Sequence, residues 1–299
     1  MSSTTLFLVL DMAPRDPILG LNDQYNADPN PAKVNLGVGV YFDDQGKLPL
    51  LQCVRAAEQA MMEKPAPRGY LPIDGIAAYD NGVKSLVFGA DSDVVQSGRV
   101  ATVQAIGGTG ALRIGADFLK KVSPNARVLI SDPSWENHRA LFTQAGFTVG
   151  TYRYYDAANR GINFAGFLAD LQAAPAETIV VLHACCHNPT GYDITPAQWD
   201  EVVQVVKSRK LTAFLDMAYQ GFGHGIAEDG AVVGKFVAAG VNFFVSTSFS
   251  KSFSLYGERV GALSVVCQSK EEAGRVLSQL KIAIRTNYSN PPTHGAAVV

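Results

Sequence analysis

Seven apolar segments of strand length alternate, from about residue 100 onward, with amphipathic segments of helix length. That rhythm predicts an α/β fold with a mainly parallel seven-stranded sheet, because each parallel strand has to be reached by a crossover, usually a helix. Strands are expected at residues 99–106, 127–131, 147–154, 178–183, 212–216, 243–248 and 261–267, and helices at 109–121, 135–145, 164–173, 196–209, 231–239 and 271–285. In the first helix Leu112, Ala116 and Leu119 recur at helical spacing while Lys120 and Lys121 lie off the stripe, so that face packs on the sheet. Only a loop joins the last two strands, too little for a crossover helix, which predicts that one strand runs antiparallel.

The first 45 residues break the rhythm. Pro14, Pro17, Pro29 and Pro31 stand among Asp and Asn there, the mark of an extended arm or of an excursion into a second, smaller domain, with residues 46–299 as the main body. With 299 residues, 47% of them hydrophobic, the chain can bury a sizeable core. Lys and Arg total 25 against 27 Asp and Glu, with no basic run, so nucleic acid is not an expected partner. The run Leu6 to Leu10 is too short to span a bilayer and lacks the flanks of a signal peptide. Cys53, Cys185, Cys186 and Cys267 are too few for a disulfide framework, which predicts reduced thiols and a cytoplasmic protein without membrane attachment.

Ligands of open α/β sheets collect at the carboxyl ends of strands, and several polar residues fall there. Gly107-Gly-Thr-Gly110 follows a strand and opens a helix, so its amides could hold a phosphate, or it could be a plain turn. As a dinucleotide fingerprint it fails, since Arg113 stands where the third small residue belongs, although Asp132 leaves a nicotinamide-binding sheet as an alternative. His183-Ala-Cys-Cys-His187 has metal-ligand residue types but the wrong spacing: adjacent cysteines at a strand end are expected to project in different directions, so no metal is assigned. Asn188-Pro-Thr-Gly191 can be an ordinary turn, and Asp216 with Tyr219 a solvated strand end. Lys251, however, lies among hydroxyls and aromatics just beyond a strand, eight residues before Arg259. An amine in partly desolvated surroundings can form a Schiff base with an aldehyde, and Ser248, Arg259 and Thr109 suit a phosphate dianion. Those parts together match the needs of pyridoxal phosphate.

With these blocks in order, the chain resembles the class I aminotransferases of the aspartate and aromatic amino acid branch, whose fold is the type I pyridoxal-phosphate transferase fold. The resemblance runs from Asp16-Pro-Ile-Leu-Gly20 to Asn287-Tyr-Ser-Asn-Pro-Pro292 and rests on Val34-Asn-Leu-Gly-Val-Gly39, Gly107-Gly-Thr-Gly-Ala-Leu-Arg113, Asp132-Pro-Ser-Trp-Glu-Asn-His138, Cys185-Cys-His-Asn-Pro-Thr-Gly191, Asp216-Met-Ala-Tyr-Gln-Gly221 and Ser248-Phe-Ser-Lys251. It implies that Lys251 attaches the cofactor and later moves the substrate Cα proton, that Asp216 pairs with the pyridine nitrogen with His138 behind it, and that Asn188 and Tyr219 bond the phenolate oxygen. Trp135 would stack on the ring, Gly108, Thr109, Ser248 and Arg259 would hold the phosphate, and Tyr70 would reach a phosphate across a dimer interface. Gly39, Trp135, Asn188 and Arg285 would meet the substrate, Arg285 from the neighbouring subunit, so a homodimer is implied.

Tyr70-Leu-Pro72 and Tyr256-Gly-Glu-Arg259 look more like the bacterial aromatic enzymes, and Phe42 adds an aromatic wall where aspartate-preferring relatives carry a charge. Together with Arg285 this implies transfer from both aromatic and acidic amino acids to 2-oxoglutarate. Relatives continue past the position of Val299 by roughly another 100 residues, a domain's worth, which carry the arginine that clamps the substrate α-carboxylate. The expectation is therefore an incomplete small domain in residues 1–45, a large cofactor-binding domain in 46–299, and, as a further alternative, cofactor binding with little turnover.

Overall fold

A computed structural model describes residues 5–16, 20–35, 37 and 39–299; Pro17 of the proline-rich arm, and Leu36 and Val38 of the Val34–Gly39 block, lie outside the described residues. Contacts divide the chain into two units, Met1–Pro49 and Leu50–Val299. The break falls four residues beyond the expected one, because Asp43 ties the chain back on itself: its N–H donates to the Lys47 carbonyl at 2.8 Å and its Oδ1 accepts the Lys47 N–H at 2.8 Å. Within the first unit the arm is not extended throughout. A helix occupies Gly20–Ala27, and Lys33 Nζ closes its end by donating to the carbonyls of Tyr25 and Asp28.

The second unit carries strands β1 (Val100–Ile106), β2 (Arg127–Asp132), β3 (Thr148–Arg153), β4 (Tyr155–Asp156), β5 (Gly161–Ile162), β6 (Ile179–His183), β7 (Thr212–Met217), β8 (Phe243–Ser248) and β9 (Val260–Val266). Seven of them form one sheet in the order β1-β9-β8-β7-β6-β2-β3, while β4 and β5 make a separate two-stranded ribbon. The β2–β3, β2–β6, β6–β7 and β7–β8 pairs are parallel, and β9 is antiparallel to both β1 and β8. The loop-only connection between the last two strands is thus the cause of the single reversed strand.

Both faces of the sheet are buried, as unbroken apolar strands require. Successive side chains alternate: Ile179 and Val181 face a core with Phe214, Phe244 and Leu263, whereas Val180 and Leu182 face one with Leu215, Val245 and Ala262. Helices Gly107–Val122, Glu136–Gln144 and Lys270–Asn287 close the first core, and Ala77–Phe88, Phe164–Ala173, Pro196–Ser208 and Ile226–Ala239 close the second. Each fully buried Phe or Leu in these layers contributes about 1.5–3 kcal/mol.

Local signals fix several helix ends. Thr195 and Gln198 form a reciprocal capping box ahead of Pro196, and Ser269 accepts the Glu272 N–H. Ile226–Ala239 begins five residues before the expected start at 231, because Asp229 gathers the N–H groups of Gly221, Gly223 and His224 and so anchors the first turn despite the following Gly230. Helices Gln52–Glu63 and Ala77–Phe88 lie before the regular alternation and were not expected; the first buries only Val54 among its twelve residues, so its apolar stripe is faint. No helix among the described residues is long and apolar enough to cross a membrane.

Candidate active site

The carboxyl ends of β1, β2, β6, β7 and β8 and the amino end of β9 meet around one cleft. It is lined by Gly108, Thr109, Trp135, Asn188, Asp216, Tyr219, Ser248, Lys251 and Arg259, joined by Leu112, His183, Cys185, Ala218 and Ser250. Strand direction explains the convergence: parallel neighbours end together, and reversed β9 starts where β8 stops, with Ser248 opposite Gly261. The turn between them is pinned by Phe249 N–H to the Val260 carbonyl and Gly107 N–H to the Arg259 carbonyl, both 3.0 Å.

Arg259 itself takes the left-handed region, φ 55°, and donates from Nη1 to the Tyr256 carbonyl at 3.0 Å and to Ser250 Oγ at 3.5 Å. Its guanidinium occupies the space a side chain at residue 107 would need, and Gly107, at φ 67°, requires glycine for its backbone as well. A Cβ on Gly261 would stand 2.5 Å from the Gly107 carbonyl carbon. Two glycines therefore let β9, the helix N-terminus and a guanidinium close on one point, an anion cradle of backbone amides and a fixed cation.

Lys251 Nζ stands 5.2 Å above the Tyr219 ring. Burial pulls its proton affinity below the ordinary lysine value of 10.5, nearby Asp216 opposes this, and Arg259 adds to it. Burial pushes the Tyr219 phenol up, Asp216 adds to this, and the adjacent Asn188 amide opposes it.

Asp216, 9% exposed, has its Oδ2 2.9 Å from Nε2 of wholly buried His138. A hydrogen-bonded chain continues behind it. The Asn188 N–H, which can only donate, meets His183 Nδ1 at 3.2 Å, so His183 Nε2–H points to Ser134 Oγ at 3.4 Å. Ser134 in turn donates to His138 Nδ1 at 2.9 Å, which leaves His138 Nε2–H for Asp216. Burial holds His183 well below its usual range and brings His187 down to about 4, so both are neutral imidazoles at physiological pH. The histidines of the His183–His187 segment serve this network and Ser131 and Thr190, not the neighbouring thiols.

Motifs in the sequence do not show His183 or Ser250 as cleft residues; His183 is reached through Ser134, a contact made only by the packed fold. Two expected residues lie outside the cleft: Tyr70 is 94% exposed, and Arg285 is exposed near the end of Lys270–Asn287 and bonds Ser289 Oγ. Gly39 belongs to the first unit.

A family model described as aminotransferase class I and II matches residues 31–299. An aspartate aminotransferase of Pseudomonas aeruginosa is 64% identical over 99% of this chain and 74% of its own length, and the aromatic-amino-acid aminotransferase of Escherichia coli is 50% identical over 98% and 74%. Among solved structures, an aromatic-amino-acid aminotransferase from Burkholderia pseudomallei, described as covalently bound to pyridoxal phosphate, matches with TM-score 0.96 and 65% identity over 99% of this chain and 74% of that one. With nearly its whole length matched and the cleft assembled from the residues that carry the resemblance, this chain belongs to the class I and II aminotransferases.

Proposed function

We propose that this chain transfers the amino group of aromatic and acidic amino acids to 2-oxo acids, with 2-oxoglutarate as an acceptor and pyridoxal 5′-phosphate held in the cleft. The observation that carries this reading is the placement of a buried amine, Lys251, in one cleft with the Asp216 carboxylate and the Arg259 guanidinium, where burial lowers its proton affinity. Membership of the family removes the nicotinamide alternative. The residues present fit the cofactor: the Gly107–Thr109 turn, Ser248 and Arg259 match a phosphate, Asp216 a ring nitrogen, and the amine an aldehyde.

When bound, pyridoxal phosphate supplies an aldehyde that condenses with amines and a ring that accepts the electron pair left when Cα loses its proton. Lys251 would hold the aldehyde and, when free, would carry the Cα proton. Asp216, its carboxylate held in place by His138, Ser134 and His183, would pair with a ring nitrogen and favour its protonated form. Asn188 and Tyr219 would donate to a phenolate oxygen. Trp135, half-buried and edge-on to His138 at 5.2 Å, would cover a bound ring and exclude water.

Tyr70 and Arg285 point outward, which supports a homodimer in which each serves the neighbouring cleft, and four free cysteines support a cytoplasmic setting. Borohydride reduction of the purified protein followed by peptide mapping tests the assignment: the pyridoxyl group is expected on Lys251, and recovery on another lysine would refute it. Arg285 supplies a planar fork for a second carboxylate, so Arg285→Leu is expected to cost aspartate turnover about 2–4 kcal/mol in kcat/KM while sparing phenylalanine. Equal losses for both amino acids would contradict the dual specificity.

A further inference from the structure

Cys185, Cys186 and Asp229 bring two Sγ atoms and a carboxylate oxygen within 4.8 Å of one another, the one such trio of His, Cys, Asp or Glu among the described residues. Adjacent side chains of an extended segment point apart, which is the expectation drawn from the sequence. Here Cys186 takes φ 50°, in the left-handed region, and the two sulfurs lie together instead. We propose that these three side chains form a binding site for a thiophilic divalent cation of the Zn²⁺ and Cd²⁺ class, with water as the fourth ligand.

The donor set has the softness such ions select, two sulfurs and one oxygen in a three-residue site with an open position. Asp229 is held in place by the N–H groups of Gly221 and Gly223 on Oδ2 and of His224 on Oδ1, which fixes its carboxylate beside the two sulfurs. A second carboxylate, Asp193, accepts the N–H groups of Cys186 and His187 and adds negative potential. The same charges attract a divalent ion, and its binding replaces two S–H bonds by two metal–sulfur bonds, releasing two protons without any change of oxidation state. The ion has a way in: Cys185 lines the cleft and Cys186 is partly exposed. Cys186 Sγ, which contacts the Tyr219 carbonyl at 3.8 Å, gives up that weak bond on binding.

Titration of the holoenzyme with Cd²⁺ tests the site directly. A sulfur-to-cadmium absorption band is expected to saturate at one ion per chain with release of two protons, and excess Zn²⁺ should remove it. Bound Zn²⁺ should shield Cys186, the partly exposed thiol, from iodoacetamide at alkaline pH in peptide maps of the wild-type protein, a measurement that needs no variant. Cys186→Ser is expected to weaken Cd²⁺ binding at least tenfold and to lose about half the band, while Cys53→Ser, on an exposed helix, should change neither. Absence of the band, its survival at full strength in Cys186→Ser, or an unshielded Cys186 in the wild type would overturn the proposal.

Discussion

Lys251→Ala is expected to slow amino transfer roughly 10⁴-fold or more, because in the proposed function one side chain supplies both the covalent anchor and the group that moves the Cα proton. Cofactor bound through its phosphate alone should remain extractable by dialysis, and borohydride should fix none of it to the protein. Lys251→Arg sharpens the test: it restores the positive charge and the length but cannot give up its proton near neutral pH, so it should be as inactive as the alanine variant. The pH dependence follows from the direction of the shift. Burial, opposed by Asp216 and assisted by Arg259, lowers the proton affinity of Lys251, so the free amine is present at lower pH than in an ordinary lysine. Capture of added cofactor by apoenzyme should rise with pH to a midpoint below 10.5. Steady-state kcat for the variants, and a midpoint at or above that value for the wild type, are the results that decide.

Asp216→Ala should produce the second largest loss. It removes the acceptor of the His138 Nε2–H in a place where the carboxylate is 9% exposed and the imidazole wholly buried. Breaking a buried pair of this kind costs about 3–5 kcal/mol, and if that loss falls on the transition state the rate drops roughly 10²–10⁴-fold. Because the proposed partner of Asp216 is a ring nitrogen and not a substrate carboxylate, kcat should carry most of the fall and KM little of it. His138→Asn retains a donor toward Asp216 and should lose far less. A common fall in both variants, or a rise in KM matching the fall in kcat/KM, would show that the pair holds the fold and not the ring.

The sheet was legible because its strands are buried on both faces and read as unbroken apolar runs, as in Thr178 to Leu182 and Phe243 to Thr247. The small β4–β5 ribbon was not, since two residues per strand leave no periodicity to detect. Lys251, Asp216 and Asn188 could be singled out because each sits in a block at a strand end, yet the block alone allows a surface lysine, a solvated carboxylate and a turn. What separates those readings is desolvation, which arises only when β7, β8 and β9 lie side by side. The Asn188–His183–Ser134–His138–Asp216 chain was illegible for the same reason: its members come from three strand ends, and a residue as ordinary as Ser134 acquires a role only from two imidazoles placed on either side of it. The neighbouring cysteines show the opposite failure, where a single backbone angle at Cys186 undid a sound expectation about extended chain.

The reversal of β9 sets how much the chain's length can drift. A parallel crossover spans the sheet through a helix and loops on the far side, so a few residues added there displace surface and leave the strand ends alone. Lys251 and Arg259 have no such slack: they occupy one short turn whose ends are held by the Phe249–Val260 and Gly107–Arg259 bonds. An insertion between them would part the amine from the guanidinium by several ångströms. Among variants of this chain, length changes should accumulate in the connections after β3 or between Val122 and Arg127 and be purged between Lys251 and Arg259, so that tolerance to insertion maps the chemistry as sharply as substitution does.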